Sequence, residues 1–149
     1  FDRVVCLEVL EHIHKPKGAV LELRRILRKG GLAVVGVPTY FAEILLRSID
    51  RSYVDIAGGH INQFRFEQWK RIFSESGLRS HRIKNQNSEY TIVWLVWLLL
   101  KVRPSSWKGV HDPGARWRRL WTLIRRLGWL ISFTDRLVPK STYFYLSRI

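Results

Sequence analysis

Arg25-Ile-Leu-Arg-Lys-Gly-Gly-Leu-Ala-Val-Val-Gly-Val-Pro38 is the stretch on which the fold turns. Its first residues finish a helical pattern. From Pro16 onward, Ala19, Val20, Leu23, Ile26 and Leu27 recur at three and four residues, while Glu22, Arg24, Arg25 and Arg28 fall off that stripe. Pro16 suits a first helical turn, where its missing N–H costs nothing. The cations through Lys29 favour the negative end of the helix dipole, and Gly30-Gly31 supply a left-handed stop. Leu32 to Val37 is then a continuous apolar run closed by Pro38, the pattern of a buried strand.

Moving outward, Asp2 to Glu8 is a second short apolar run bounded by charge, read as another buried strand. Strand, helix and strand with connections this short make a right-handed crossover, so the two strands are expected to be parallel. On the other side, Tyr40 to Ile49 reads as a short helix with Phe41, Ile44, Leu45 and Ile49 apolar. Residues 51–62 are polar and Gly-rich, hence a loop. Phe66 to Ser76 is helical again, with Phe66, Trp69, Ile72 and Phe73 facing inward and Gly77 ending it. Leu78 to Gln86 alternates weakly as a third strand, and Thr142 to Ile149 reads as a last one.

Between these last strands the composition changes. The 149 residues carry a net charge of +14, enough chain for one domain. Residues 1–100 hold 15 basic and 10 acidic side chains, whereas residues 101–149 hold 11 basic ones and only Asp112 and Asp135. Six of the seven Trp follow residue 90. Tyr90 to Leu100 is nearly all apolar but about half the length a bilayer-spanning helix needs, so it reads as a buried or interfacial helix. Pro104 to Gly114 is linker-like. Residues 116–138 return to a helical period, with Trp117, Leu120, Trp121, Ile124, Leu127, Ile131 and Val138 as a stripe and Arg118, Arg119, Arg125, Arg126 and Arg136 mostly opposite. Basic and aromatic together suit an anionic membrane surface or a nucleic-acid backbone. A solvated basic surface is the plain alternative. The single Cys6 excludes an internal disulfide and fits a reducing, cytoplasmic compartment. A chain that opens on Phe1 and contains no Met reads as one cut from a longer protein.

Phe1-Asp-Arg-Val-Val-Cys-Leu-Glu-Val-Leu-Glu-His-Ile13 resembles the fourth strand and following turn of class I S-adenosylmethionine-dependent methyltransferases. Arg25 to Leu32, with the strand up to Pro38, resembles their next helix, Gly-rich turn and fifth strand. His60, Phe64 and a helix ending in Ser76-Gly77-Leu78 are similar to the segment that follows, and the likeness resumes at 142–149. The resemblance is nearest to the ubiquinone-biosynthesis O-methyltransferases. It implies an α/β, partial Rossmann-like sheet with strands in the order four, five, seven, six. Residues 1–86 are then core, 87–140 a basic helical insertion, and 141–149 the last core strand. It also implies that the family's cofactor-binding Gly-rich loop and ribose-holding acid fall before Phe1, so that this chain alone binds S-adenosylmethionine poorly, if at all.

In such a sheet the ligand lies at the carboxyl ends of the strands. The turn Cys6, Leu7, Glu8 therefore faces the cofactor, and the resemblance implies apolar packing of Leu7 against its adenosine side. Glu8, Glu11 and His12 are two carboxylates and an imidazole at one turn's spacing, a set able to hold a divalent metal, and a resemblance to the small-RNA terminal 2′-O-methyltransferases implies His60 as a further ligand. The alternative is that they only shape the turn. His60 is the candidate base, having a pKa suited to proton transfer near neutrality. The expected function is methyl transfer from S-adenosylmethionine to a hydrophobic, small-molecule or lipid-like acceptor, by a cytoplasmic protein peripheral to a membrane. Two rivals stand beside it: a metal-assisted RNA 2′-O-methyltransferase, and a non-catalytic membrane or nucleic-acid binding module.

Overall fold

Leu32–Pro38 forms β2, the strand around which the rest is assembled in the computed structural model, which describes residues 1–49, 59–99, 122 and 132–149. β1 (Arg3–Leu7) pairs parallel to it, with Val5 opposite Val34 and Leu7 opposite Gly36. On its other side β4 (Ser141–Arg148) runs antiparallel, and β3 (Leu78–Gln86) pairs antiparallel with β4. The order β1-β2-β4-β3 is the one expected, four, five, seven, six. A shift in register between Ser80 and Arg82 leaves His81 as the extra residue of a bulge.

α1 (Pro16–Ile26) makes the crossover from β1 to β2, and α3 (Phe66–Glu75) connects toward β3. Both lie on one face of the sheet. Val20 and Leu27 from the first segment and Trp69 and Phe73 from the second close over Ala33, Val35, Val37, Phe144 and Leu146, all at most 2% exposed. Each such side chain contributes about 1.5–3 kcal/mol by leaving water. α2 (Tyr40–Ile49) follows β2, and α4 (Ser88–Leu99) follows β3. A 3₁₀ turn, Ser132–Arg136, braces the start of α4, where Asp135 accepts from the Ser88 N–H at 2.9 Å. No helix among the described residues is long and apolar enough to cross a membrane.

The structure departs from the sequence reading in four places. β1 is buried on one face only: Val4 and Cys6 pack on the core, whereas Val5 is 67% and Leu7 43% exposed. α1 stops at Ile26, a turn before Lys29. Leu27 is already extended, because the carbonyls of Arg24 and Leu27 are taken by the Arg148 guanidinium and the Phe1 ammonium holds the carbonyl of Ile26. In α2 the buried residues are Ala42, Glu43 and Leu46, and Phe41 and Ile44 are turned outward. The described end of the predicted 116–138 helix is the separate 3₁₀ turn. The rest of that helix, apart from Thr122, and the 104–114 linker lie outside the described residues, as do 50–58 of the loop.

Candidate active site at the strand ends

β1 ends at Leu7, and the chain leaves the sheet through a strained residue. Glu8 has a left-handed φ of 52°, held by its N–H donating to the Gly36 carbonyl at 3.0 Å. Gly36 has no Cβ for a reason: one there would lie 2.9 Å from Leu7 Cδ2 and 3.0 Å from the Tyr143 ring. A 3₁₀ turn, Leu10–His12, then buries Leu10 and Glu11. The segment before α3 clamps this turn. The Ile61 and Asn62 N–H groups both donate to the Glu11 carbonyl at 2.9 Å, and Asn62 Nδ2 donates to the Leu10 and Ile13 carbonyls at 3.1 and 2.6 Å. These four bonds bring His60 to the end of β1.

The end of β2 is stitched in a similar way. Thr39 Oγ1 donates to the Pro139 carbonyl at 2.5 Å and accepts from the Ala42 N–H at 3.3 Å, starting α2. The Thr39 N–H donates to the Lys140 carbonyl at 2.9 Å. The first turn of α2 and the residue before β4 are thereby locked side by side, which places Glu43 next to Lys140.

Five charged or titratable groups from four segments of the chain meet here. His60 Nδ1 lies 2.7 Å from Glu43 Oε2, and Lys140 Nζ donates to Glu43 Oε1 at 3.3 Å. Burial alone would push the Glu43 carboxyl up, but His60 and Lys140 more than reverse it and hold the group below the usual carboxylate range. An ionised carboxylate only accepts, so the His60 Nδ1 facing it carries the proton, and Nε2 is the ring's proton-accepting atom. Glu11 is equally buried, at 1% exposure, yet neither carboxyl oxygen has a hydrogen-bond partner among the described residues. Burial pushes its carboxyl up to about 7, with Glu8 adding to the effect against the opposing pull of its own backbone amide, His60 and Lys140. His12 sits alongside, its Nε2 3.7 Å from Glu11 Oε1, its Nδ1 3.2 Å from the Gly59 carbonyl, and its ring edge-on to His60 at 4.8 Å between centroids.

Of the residues singled out in the sequence, Glu11, His12 and His60 come together, with ligand atoms within 4.8 Å of one another. Glu8 does not join them; it is exposed at the strained turn, so the expected Glu8, Glu11, His12 triplet is replaced by Glu11, His12, His60. Leu7 presents a partly exposed side chain beside Gly36, whereas the Cys6 side chain packs on the core, and burial pushes its thiol up. Glu43, Lys140 and Asn62 were not read from the sequence. Glu43 alone left a trace there, as an acid set between the apolar Ala42 and Ile44. A cavity of about 550 Å³ is lined by neighbouring residues of the same three segments, Thr39 to Phe41, Phe64 to Phe66, and Pro139, though by none of the clustered groups themselves.

An open α/β sheet with a polar cluster at its strand ends belongs to the broad class of doubly wound, cofactor-binding folds. Within that class the family is shown by the sequence: residues 1–82 match the model of a methyltransferase domain, and the chain belongs to that family. Solved structures agree on the fold. The cyclopropane synthase MmaA2 from Mycobacterium tuberculosis superposes with a TM-score of 0.56 at 13% identity, over 99% of this chain and 55% of that one. The cyclase SpnF gives 0.55 at 16% identity, over 99% and 50%. A SAM dependent methyltransferase from Archaeoglobus fulgidus gives 0.53 at 15% identity, over 99% and 59%. The chain thus spans little more than half the length of these structures. No curated protein matches the sequence significantly.

Proposed function

We propose that this chain is part of an S-adenosylmethionine-dependent methyltransferase that modifies a hydrophobic acceptor, with His60 as the base. The observation that carries the reading is the Glu43–His60 pair, 2.7 Å apart, which joins the first turn after β2 to the segment clamped on the end of β1. Methyl transfer breaks the sulfonium S–CH₃ bond, forms a bond from the acceptor to carbon, and releases a neutral thioether. Positioning supplies much of the rate. An acceptor hydroxyl must also lose its proton, and His60 Nε2 takes it while Glu43 holds the imidazole in the right tautomer and balances the charge it gains. The half-exposed Leu7 side chain offers an apolar surface to the cofactor's adenosine, and Cys6 and Glu8 contribute through the turn that holds it. In the complete protein, His60→Gln is expected to lower kcat by about 100-fold or more with cofactor affinity unchanged. An unaltered kcat would sink the assignment of His60.

One observation favours a second reading. A buried Glu11 carboxylate without hydrogen-bond partners among the described residues, next to His12 and His60, fits a divalent cation in donor type. A cation held by these three residues would lower the pKa of an acceptor hydroxyl. Mn²⁺ titration followed by thermal melting tests this; no rise in Tm with metal, or an equal rise in Glu11→Ala, removes it. The membrane reading rests on the basic, Trp-rich sequence between 101 and 131, and flotation with anionic vesicles is its test.

A further inference from the structure

The cavity has walls more particular than a generic apolar pocket needs. At about 550 Å³ it falls in the range of small-molecule sites. Its walls are rich in aromatic residues: Tyr40, Phe41, Phe64, Phe66, Trp69 and Phe144 all line it, and of these Phe41 and Phe66 are the exposed ones, at 53% and 40%. Ring faces at this density favour a planar aromatic guest over a branched or extended aliphatic one.

The polar content of the walls is equally lopsided. Arg65 is the one charged residue lining the cavity among the described residues, and no carboxylate does so. Its guanidinium lies 5.1 Å from the centroid of the Tyr40 ring and forms no ion pair within the described residues. Its backbone N–H is fixed by Gln68 Oε1 at 2.7 Å, so Arg65 opens α3 and the positive end of that helix adds to the same corner. Across the cavity Asn85 Oδ1 accepts from Thr142 Oγ1 at 2.8 Å, which leaves the Asn85 amide nitrogen as a donor. Donors without a balancing acid select an anion, and a guanidinium fork matches a carboxylate best.

We infer that this cavity takes a planar aromatic carboxylate of one or two rings, its rings against Phe66 and Phe41 and its carboxylate on Arg65. The inference names the acceptor class for the proposed methyl transfer and rests on that reading. Its test is equilibrium binding without cofactor, so the two fail separately. Calorimetric titration of the full chain with naphthoate, and with its uncharged counterpart naphthalenemethanol, is the experiment. Naphthoate is expected to bind saturably and more tightly than the alcohol. Arg65→Gln is expected to weaken naphthoate about 10-fold and leave the alcohol unchanged. Phe41→Ala is expected to weaken both several-fold. Both positions are exposed, so neither variant endangers the fold, and circular dichroism checks this. Failure of both probes to bind folded protein, or binding indifferent to Phe41→Ala, overturns the site. An equal effect of Arg65→Gln on acid and alcohol overturns the carboxylate. Binding of naphthoate with the expected variant pattern supports the site even if no methyl transfer follows, an outcome that counts against the transferase reading alone.

Discussion

The turn after β1 and the turn after β2 occupy equivalent places in the sheet, and each buries one glutamate to 1% exposure, Glu11 and Glu43. Their states are opposite. Glu43 is bonded by His60 and Lys140 and held ionised, whereas Glu11 has no hydrogen-bond partner among the described residues and is pushed up to about 7. Burial is therefore not what sets the charge. The partners are, and they arrive from elsewhere in the chain: His60 from the loop before α3, Lys140 from the residue before β4. One turn has been built to hold a charge permanently, and the other to hold one only near or above neutrality.

The largest expected effect comes from removing the paired acid. Glu43→Ala leaves Lys140, whose side chain is 11% exposed, and His60 without their counter-charge. Breaking a buried pair on one side costs about 3–5 kcal/mol. Denaturant unfolding at neutral pH should show a loss of that order. A loss no larger than that of an ordinary surface substitution would mean that the two turns are alike after all.

Glu11, without a hydrogen-bond partner among the described residues, should behave in the opposite sense. Its folded pKa, about 7, lies above its ordinary value of 4.5, so between these limits the folded protein binds more protons than the unfolded chain. Stability is then fully present below 4.5 and falls as pH rises through 7. The shift corresponds to about 3 kcal/mol. Glu11→Gln keeps the shape and removes the ionisation. Melting curves recorded in chelator should show wild type and variant similar near pH 4.5 and the variant the more stable at pH 8. A variant less stable at pH 8 would show that the Glu11 carboxylate is compensated. For Glu43 the sign reverses: its contribution is present above 4.5 and lost as pH falls through its lowered value.

The sequence made some of this legible and hid the rest for a physical reason. Tyr40–Ile49 and Leu78–Gln86 were bounded correctly, because the apolar pattern and the Pro38 and Gly77 that precede them are local signals. The sheet order followed from the resemblance, whereas the set expected around Glu11 and His12 included Glu8, which the structure leaves outside the cluster. The end of α1 was misplaced because what stops it is Arg148, from the far end of the chain, together with the Phe1 ammonium. Glu43 and Lys140 were missed on the same ground. A glutamate in an amphipathic helix reads as a surface residue until a lysine 97 positions away is seen to reach it.

The smallest effect is expected from ions of the same types on the surface. Glu75 joins Lys17 and Arg71 at 2.6 and 2.8 Å, closer than Lys140 comes to Glu43, and its carboxyl is pulled down to about 2, by Lys17 first and Arg71 next. Distance and pKa would rank this trio above the buried one. Water reverses the ranking: the Glu75 side chain is 40% exposed and the Lys17 side chain 53%, so solvent and salt screen the attraction and ordering two long side chains offsets much of what remains. Lys17→Met should leave the melting temperature within experimental error at moderate salt, with any small loss vanishing as salt is raised. If Lys17→Met destabilised the protein as much as Glu43→Ala, the contrast between Glu43 and Glu11 would lose its basis, because proximity rather than desolvation would then decide what an ion pair contributes to this fold.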